Sequence, residues 1–440
     1  MRRVAVLGGV RIPFCRSHTG YAELSNLDML TAALGGLADR FALHGAHIDE
    51  VVGGAVVTHA KDWNLAREAV IGSPLAQTTP GITMMQACGT SLQGALGLAA
   101  KIAVGQIDCG IAMGSDTTSD APVVFQKKFA KRLVQASRAK TLGERVGAFK
   151  GFAPGELAPL PPSTSEPRTG LSMGEHCELM AKEWAIPRED QDVLALESHR
   201  KAAAAYDEGF MDDLVIPCAG VFRDNNIRED ASLEKLAALK PAFDKLGGTI
   251  TAGNSSPLTD GAATVLLASE EWAENRGIPI QAYLTLGRTS AVDYVQGEGL
   301  LMAPTVAVSE VLDQAGLGLQ DFDYYEIHEA FAAQVLATLR AWESEAYCRE
   351  RLGRSGPLGS IDRAKLNVKG SSIAIGHPFA ATGARILAVL AKLLHTGGGQ
   401  RGLISVCTAG GMGVAAILEG VEAQTASKPA GSNDEVKGAA

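Results

Sequence analysis

The sequence predicts an α/β protein of layered sheets and helices, and three observations carry that prediction. Short apolar runs alternate with longer runs whose apolar residues recur at helical spacing. Of the 440 residues, 46% are hydrophobic, 50 are glycine and only 5% are aromatic, which suits close-packed layers joined by glycine turns. One pattern also recurs: Cys88 is followed six residues later by Gly94-Ala95, and His377 six residues later by Gly383-Ala384. Each stands at a short loop opening an apolar, small-residue helix that leads into a strand, so the chain reads as two similar halves. Pseudo-symmetric halves pack their equivalent helices together, which would bring Cys88 near His377.

Val4–Val10 reads as a buried strand, Leu27–Leu43 as a helix and Glu50–Val57 as a second buried strand. A helix is expected to begin near Cys88, with Cys109–Asp116 returning as a strand. Residues 120–175 change character. Lys127–Lys150 holds eight Lys/Arg and one acid, Glu144, and Ala153–Pro167 is proline-rich and aperiodic. That segment reads as an excursion from the sheet. Its basic run is either a solvated helix face or a docking surface for an anionic group or partner. Two amphipathic helices follow, with a break at Pro187. Gly248–Ser269 reads as strand, glycine turn and apolar helix. From about 280 the strand–helix alternation restarts and runs through Gly402–Gly420. Thr425–Ala440 is small, polar and charged, and is expected to be a disordered tail.

Composition also excludes. A net charge of −9 argues against general nucleic-acid binding. Seven cysteines form no CxxC pair and no regular framework, which reads as reduced intracellular thiols and no zinc site. The apolar run before Arg11 is only seven residues, too short for a signal sequence. No uninterrupted apolar stretch approaches a membrane span. A cytoplasmic location is the expectation.

Four polar positions stand at element ends, where α/β sites form. Cys88 sits at an expected helix N-terminus, whose dipole would favour a thiolate; a buried structural cysteine is the commoner alternative. His377 lies in "GHP" and is expected to point outward from a helix mouth. Paired with a thiol it would be the base. His328 sits at a strand-to-helix junction, and no second histidine follows for a metal. Cys407 ends a strand before a glycine loop able to present backbone N–H groups.

"ACGTSLQGA", "HEAFAAQ", "GHPFAATGAR" and "CTAGGMG" occur in the order and spacing of the four active-site motifs of the thiolases. "RIPF", "REDQDVLALESHRKA" and "TAGNSSPLTDGAA" add to the resemblance, which spans about residues 4–420. The motif forms look most like the β-subunit of the fatty-acid oxidation trifunctional complex. The resemblance implies the thiolase fold, two βαβαβαββ halves in a five-layered α-β-α-β-α core. The first half would span 1–119, completed by about 253–273, and the second 274–423. A loop domain at 120–252 would bind CoA and the acyl chain, and 424–440 would be tail.

It implies CoA-dependent cleavage of a 3-oxoacyl-CoA, or the reverse condensation, in fatty-acid β-oxidation. Cys88 would be the nucleophile, His377 its base, and Cys407 the acid/base at the α-carbon. His377 and His328 would hold the thioester oxygen, and the backbone N–H groups of Cys88 and Ala409 the oxygen at the attacked carbon. Ala409 departs from the Cys-x-Gly pattern of the family. Arg228 and Ser256 would contact CoA, and Met173 and Phe331 would line the acyl or pantetheine tunnel. CoA would enter as substrate, with no permanently bound cofactor and no metal. Expected partners are a second copy in a homodimer or homotetramer, a hydratase/dehydrogenase α-subunit, or a membrane surface meeting residues 127–150. The alternatives are a decarboxylating ketoacyl synthase of the same superfamily, which would not need Cys407, and a non-catalytic acyl-CoA or lipid carrier, which would not need all four polar positions. A dinucleotide oxidoreductase is disfavoured because the glycine loop lacks GxGxxG.

Overall fold

The structure, a computed structural model, describes residues 1–421; the expected tail lies outside them. Its first half contributes strands β1 (Val4–Arg11), β2 (Glu50–Gly54), β3 (Gly81–Thr83), β4 (Cys109–Asp116) and β5 (Thr259–Ser269). The second contributes β6 (Ala282–Ala291), β7 (Tyr324–Ile327), β8 (Arg401–Thr408) and β9 (Met412–Gly420). Together they run in the order β7-β8-β9-β6-β1-β5-β4-β2-β3, with the two-residue Cys15–Arg16 strand pairing off the path.

The two halves repeat one topology. In the first, the third, second, fourth, fifth and first strands lie side by side. In the second, β7-β8-β9-β6 follow the same sequence, and a single Tyr325–Leu366 bridge stands where the third strand would pair. The two first strands join antiparallel through only Ala5–Tyr283 and Val6–Ala282, so two half-sheets meet at a narrow seam.

Helices Thr90–Ala103 and Thr382–Gly397 are the equivalent pair, and they pack against each other between the half-sheets. A Cβ on Gly383 would lie 2.4 Å from Leu92 N, so this approach needs glycine. Ser91 Oγ donates to Ala380 O (2.6 Å) and accepts from Ala384 N (2.8 Å), tying one helix start to the other. Three apolar clusters fill the layers. The middle one holds both central helices, and the outer two lie under Asn26–Arg40 and Leu65–Gly72 on one side and Ala303–Ala315 and Ala332–Glu343 on the other. Phe379–Gly397 has the length and hydropathy of a membrane span, but 78% of that window is buried inside the fold.

Several expectations are corrected. Thr259–Ser269 is a strand and not an apolar helix. All eleven positions are buried, residues 261–269 pair to β1 or β4 and Thr259 and Asp260 to Cys15–Arg16, and an apolar run without polar alternation carries no period to separate the two states. The Leu65–Gly72 helix and the three-residue β3 escaped the sequence reading because neither is long enough to show a period. The central helix starts at Thr90 with Gly89 as its cap, leaving Cys88 one residue outside. His377 likewise precedes a 3₁₀ turn, Phe379–Ala381, and is buried instead of pointing outward. The basic run forms helices Lys127–Arg138 and Leu142–Gly147, neither of which buries a hydrophobic side chain, off the main sheet.

Candidate active site

The seam between the halves brings the separated motifs together. Cys88 follows Ala87, whose φ of 46° is left-handed, an uncommon conformation for a non-glycine residue. Thr90 braces this turn: its Oγ1 donates to Ala87 O (2.8 Å) and accepts from Gln86 N (2.9 Å). On the other side Gly376, at φ 108°, turns the chain into His377. Ala380 N, just beyond, donates to the buried Asp116 (2.9 Å).

His377 Nε2 lies 3.1 Å from Cys88 Sγ, and His377 Nδ1 lies 2.6 Å from Thr382 Oγ1. The Sγ–H can donate only to a bare Nε2, so the ring proton sits on Nδ1 and donates to Thr382. Burial pushes the Cys88 thiol up to about 12, with Asp116 adding to it, and pushes His377 down to about 3, with Arg385 adding to it. Burial therefore opposes the thiolate that a helix N-terminus would favour. Both directions describe a resting pair of neutral thiol and neutral imidazole.

The backbone N–H groups of Cys88 and Ala409 are both directed at the Cys88 sulfur, where they favour negative charge. Ala409 is not left-handed; that burden falls on Gly410 (φ 78°) and Gly411 (φ 70°) in the β8–β9 turn. Gly410 N donates to Glu166 Oε1 (2.9 Å), so a carboxylate from the inserted segment holds the turn. Cys407 is buried, pairs with Gly413 across the hairpin, and feels both Cys88 and Cys177. Burial, then those thiols, push its own thiol well up.

The His328 ring lies against His377 with centroids 4.2 Å apart and planes tilted by 47°. Its Nδ1 lies 2.8 Å from Ser372 Oγ, while its Nε2 is buried with no partner among the described residues. Ligand atoms of Cys88, His328 and His377 lie within 4.8 Å of one another. Burial, then the neighbouring His377 and Arg385, hold His328 neutral.

A cavity of about 520 Å³ opens beside the cluster, lined by Arg228, Ser256, His199, Arg16, Phe243 and Leu258 among others. Leu258, in the cavity wall, forms a backbone bridge with His377. Arg228 and Ser256 both line this cavity. Met173 and Phe331 do not line this cavity. Met173 packs on an interior cluster, and Phe331 lies behind Phe243 with ring centroids 6.0 Å apart. Sequence reasoning missed Thr382, Ser372, Arg385, Asp116 and Glu166. Thr382 and Arg385 lie inside the quoted "GHPFAATGAR", but nothing in a linear motif says which hydroxyl meets which ring nitrogen.

A doubled α/β fold with a cysteine–histidine pair buried between its halves defines a class of thiol-dependent enzymes. The thiolase N-terminal domain matches residues 4–271 and the thiolase C-terminal domain residues 280–420. The chain belongs to the thiolase family. It is 41% identical over 423 residues to a 3-ketoacyl-CoA thiolase of Yersinia pestis (strain Pestoides F), covering 95% of this chain and 97% of that protein. Among solved structures it resembles a Bacillus anthracis acetyl-CoA acetyltransferase, with TM-score 0.79, 29% identity and 96% and 99% of the two chains covered. It also resembles an Ascaris suum thiolase in complex with coenzyme A, with TM-score 0.78, 27% identity and 96% and 100% covered.

Proposed function

We propose that this thiolase cleaves a 3-oxoacyl-CoA with free CoA, or runs the reverse condensation, through an acyl group on Cys88. The observation that carries the reading is the 3.1 Å contact of Cys88 Sγ with His377 Nε2, with the amides of Cys88 and Ala409 aimed at that sulfur.

His377 takes the thiol proton as Cys88 attacks the 3-oxo carbon, so no charged pair need persist beforehand. The oxygen of the attacked carbon gathers charge near the Cys88 and Ala409 amides, an arrangement where one donor is worth about 3 kcal/mol of barrier. The bond between the α and β carbons then breaks, leaving the acyl group on Cys88 and a thioester enolate. His377, now protonated at Nε2, and His328 stabilise the enolate oxygen. Cys407 gives its proton to the α-carbon and releases acetyl-CoA. Its thiolate takes the proton of incoming CoA, whose sulfur attacks the acyl-Cys88 thioester; the departing Cys88 sulfur takes back the proton held by His377. In condensation Cys407 instead removes the α-proton of acetyl-CoA.

CoA is the substrate expected in the cavity, with Arg228 and Ser256 contacting it. No metal or permanent cofactor is required by these steps. Cys407 favours this reading over a decarboxylating synthase, which makes its carbanion without a proton-abstracting thiol. Degradation of fatty acids in the cytoplasm is the setting we infer. A homodimer is supported by the edge strand β3, where Ile82 is exposed, as are Met85 two residues beyond it and Trp63. An anionic membrane is the occupant we infer for residues 127–150, where Lys127, Lys128 and Lys131 lie near exposed Phe125, Leu133 and Val134. Turnover across a chain-length series of 3-oxoacyl-CoA substrates tests the activity; no CoA-dependent cleavage at any length refutes it.

A further inference from the structure

We infer that Ser372 and Arg385 are positioning residues that fix His328 as a hydrogen-bond donor toward the thioester oxygen. The inference rests on the thiolase reading of the cluster and goes one shell deeper, to residues the motif reading gave no role.

Ser372 Oγ lies 2.8 Å from His328 Nδ1 and 2.9 Å from Arg385 Nη2. Relative exposures are 0% for His328 and Ser372 and 2% for Arg385, so bulk water does not settle the balance. A guanidinium only donates, and a serine hydroxyl has one hydrogen to give. Arg385 therefore fills an acceptor position on Ser372 Oγ. The hydroxyl hydrogen is left to point at His328 Nδ1, which must then be bare. A neutral imidazole with a bare Nδ1 carries its proton on Nε2.

The opposite tautomer has both neighbours donating to Ser372. It strands the hydroxyl hydrogen in a buried site, a costly loss. It also turns a bare Nε2 toward the reacting groups, where an enolate oxygen would be repelled.

Nε2 of His328 is the atom with no partner among the described residues, and a ring nitrogen of His328 lies within 4.8 Å of ligand atoms of Cys88 and His377. A buried N–H aimed at the reaction centre and unused by the protein is an N–H kept for substrate. The two adjacent rings thus hold opposite tautomers. Thr382 takes the Nδ1 proton of His377 and leaves its Nε2 bare for the thiol. Ser372, oriented by Arg385, leaves His328 Nε2 protonated. One ring rests as a base and the other as a donor. The buried guanidinium also opposes a second positive charge on either ring.

The test is a kinetic cycle of Ser372→Ala and His328→Asn. Ser372→Ala should lower kcat about 100-fold, the scale of one lost oxyanion donor, with KM for CoA unchanged. An asparagine amide donates whatever Ser372 does, so in the His328→Asn background Ser372→Ala should cost no further activity. Equal losses in both backgrounds, or no loss in the native background while His328→Ala is impaired, would overturn the inference. A fully active His328→Ala, which has no side-chain donor, would instead overturn the donor role of His328 in the thiolase mechanism. Nitrogen NMR of ¹⁵N-histidine-labelled native enzyme decides independently of mutant folding: His328 should show its proton on Nε2, and a proton on Nδ1 refutes the assignment.

Discussion

His377 Nε2 lies 3.1 Å from Cys88 Sγ although 289 residues separate them, and both side chains are buried in the seam between the halves. The contact exists because the two central helices start side by side. Its electrostatics say that the pair rests uncharged, since burial raises the thiol and depresses the imidazole.

Alkylation should report that neutral state. A standing thiolate–imidazolium pair would react with iodoacetamide at a rate nearly flat from pH 5 to 8. A thiol held at about 12 beside a histidine held at about 3 should react faster with each rise in pH across that range. The rate of inactivation against pH, with the alkylated residue identified by mass spectrometry, is the measurement. A plateau at Cys88 would mean that the ion pair pre-exists.

The two catalytic thiols should separate by function. Cys88→Ala should accumulate no acyl adduct from acetoacetyl-CoA, and an adduct found elsewhere would move the nucleophile. Cys407→Ala should still acquire an acyl group at Cys88 slowly, because its sulfur is not the attacking one. It should lose exchange of the α-protons of acetyl-CoA with deuterated water. Undiminished exchange would remove Cys407 from the acid/base role.

Ala409 offers a backbone test. Its N–H is directed at Cys88 Sγ, and its φ is not left-handed. Ala409→Gly keeps the donor and should retain kcat within a few-fold. Ala409→Pro removes the N–H and should lower kcat by about 10²–10³. Equal activity of the two variants would show that this amide holds no developing charge.

The polar positions were readable because their neighbours are readable. Glycine before His377 and around Cys407 marks turns, and the echo of Gly94-Ala95 in Gly383-Ala384 marks equivalent helices. What the chain did not disclose is burial. The dipole that would favour a Cys88 thiolate is local, whereas the desolvation that opposes it comes from parts of both halves. Thr259–Ser269 looked helical because an all-buried strand has no polar face. Arg385 and Glu326 were silent because a charge in an apolar run reads as solvated until the fold encloses it.

Glu326 gives the last prediction. It sits on β7 with 0% exposure, and neither carboxylate oxygen has a partner among the described residues. Arg385 attracts its charge, but burial is the larger effect and pushes Glu326 up to about 8. In the unfolded chain the same group titrates near 4.5. Between those values the folded protein keeps a proton that the unfolded chain has lost. Glu326 therefore costs no ionisation energy below about pH 4.5, and its stability contribution is lost as pH rises toward 8. Each pH unit in that window costs about 1.4 kcal/mol. Glu326→Gln is neutral throughout and escapes the penalty. The unfolding free energy of Glu326→Gln relative to the native chain should rise by about that much per pH unit from 5 to 7.5. Titrations of other groups are common to both proteins and cancel in the difference. Urea unfolding of both at three pH values makes the measurement. A difference independent of pH would mean that Glu326 is already ionised in the fold, with Arg385 outweighing burial.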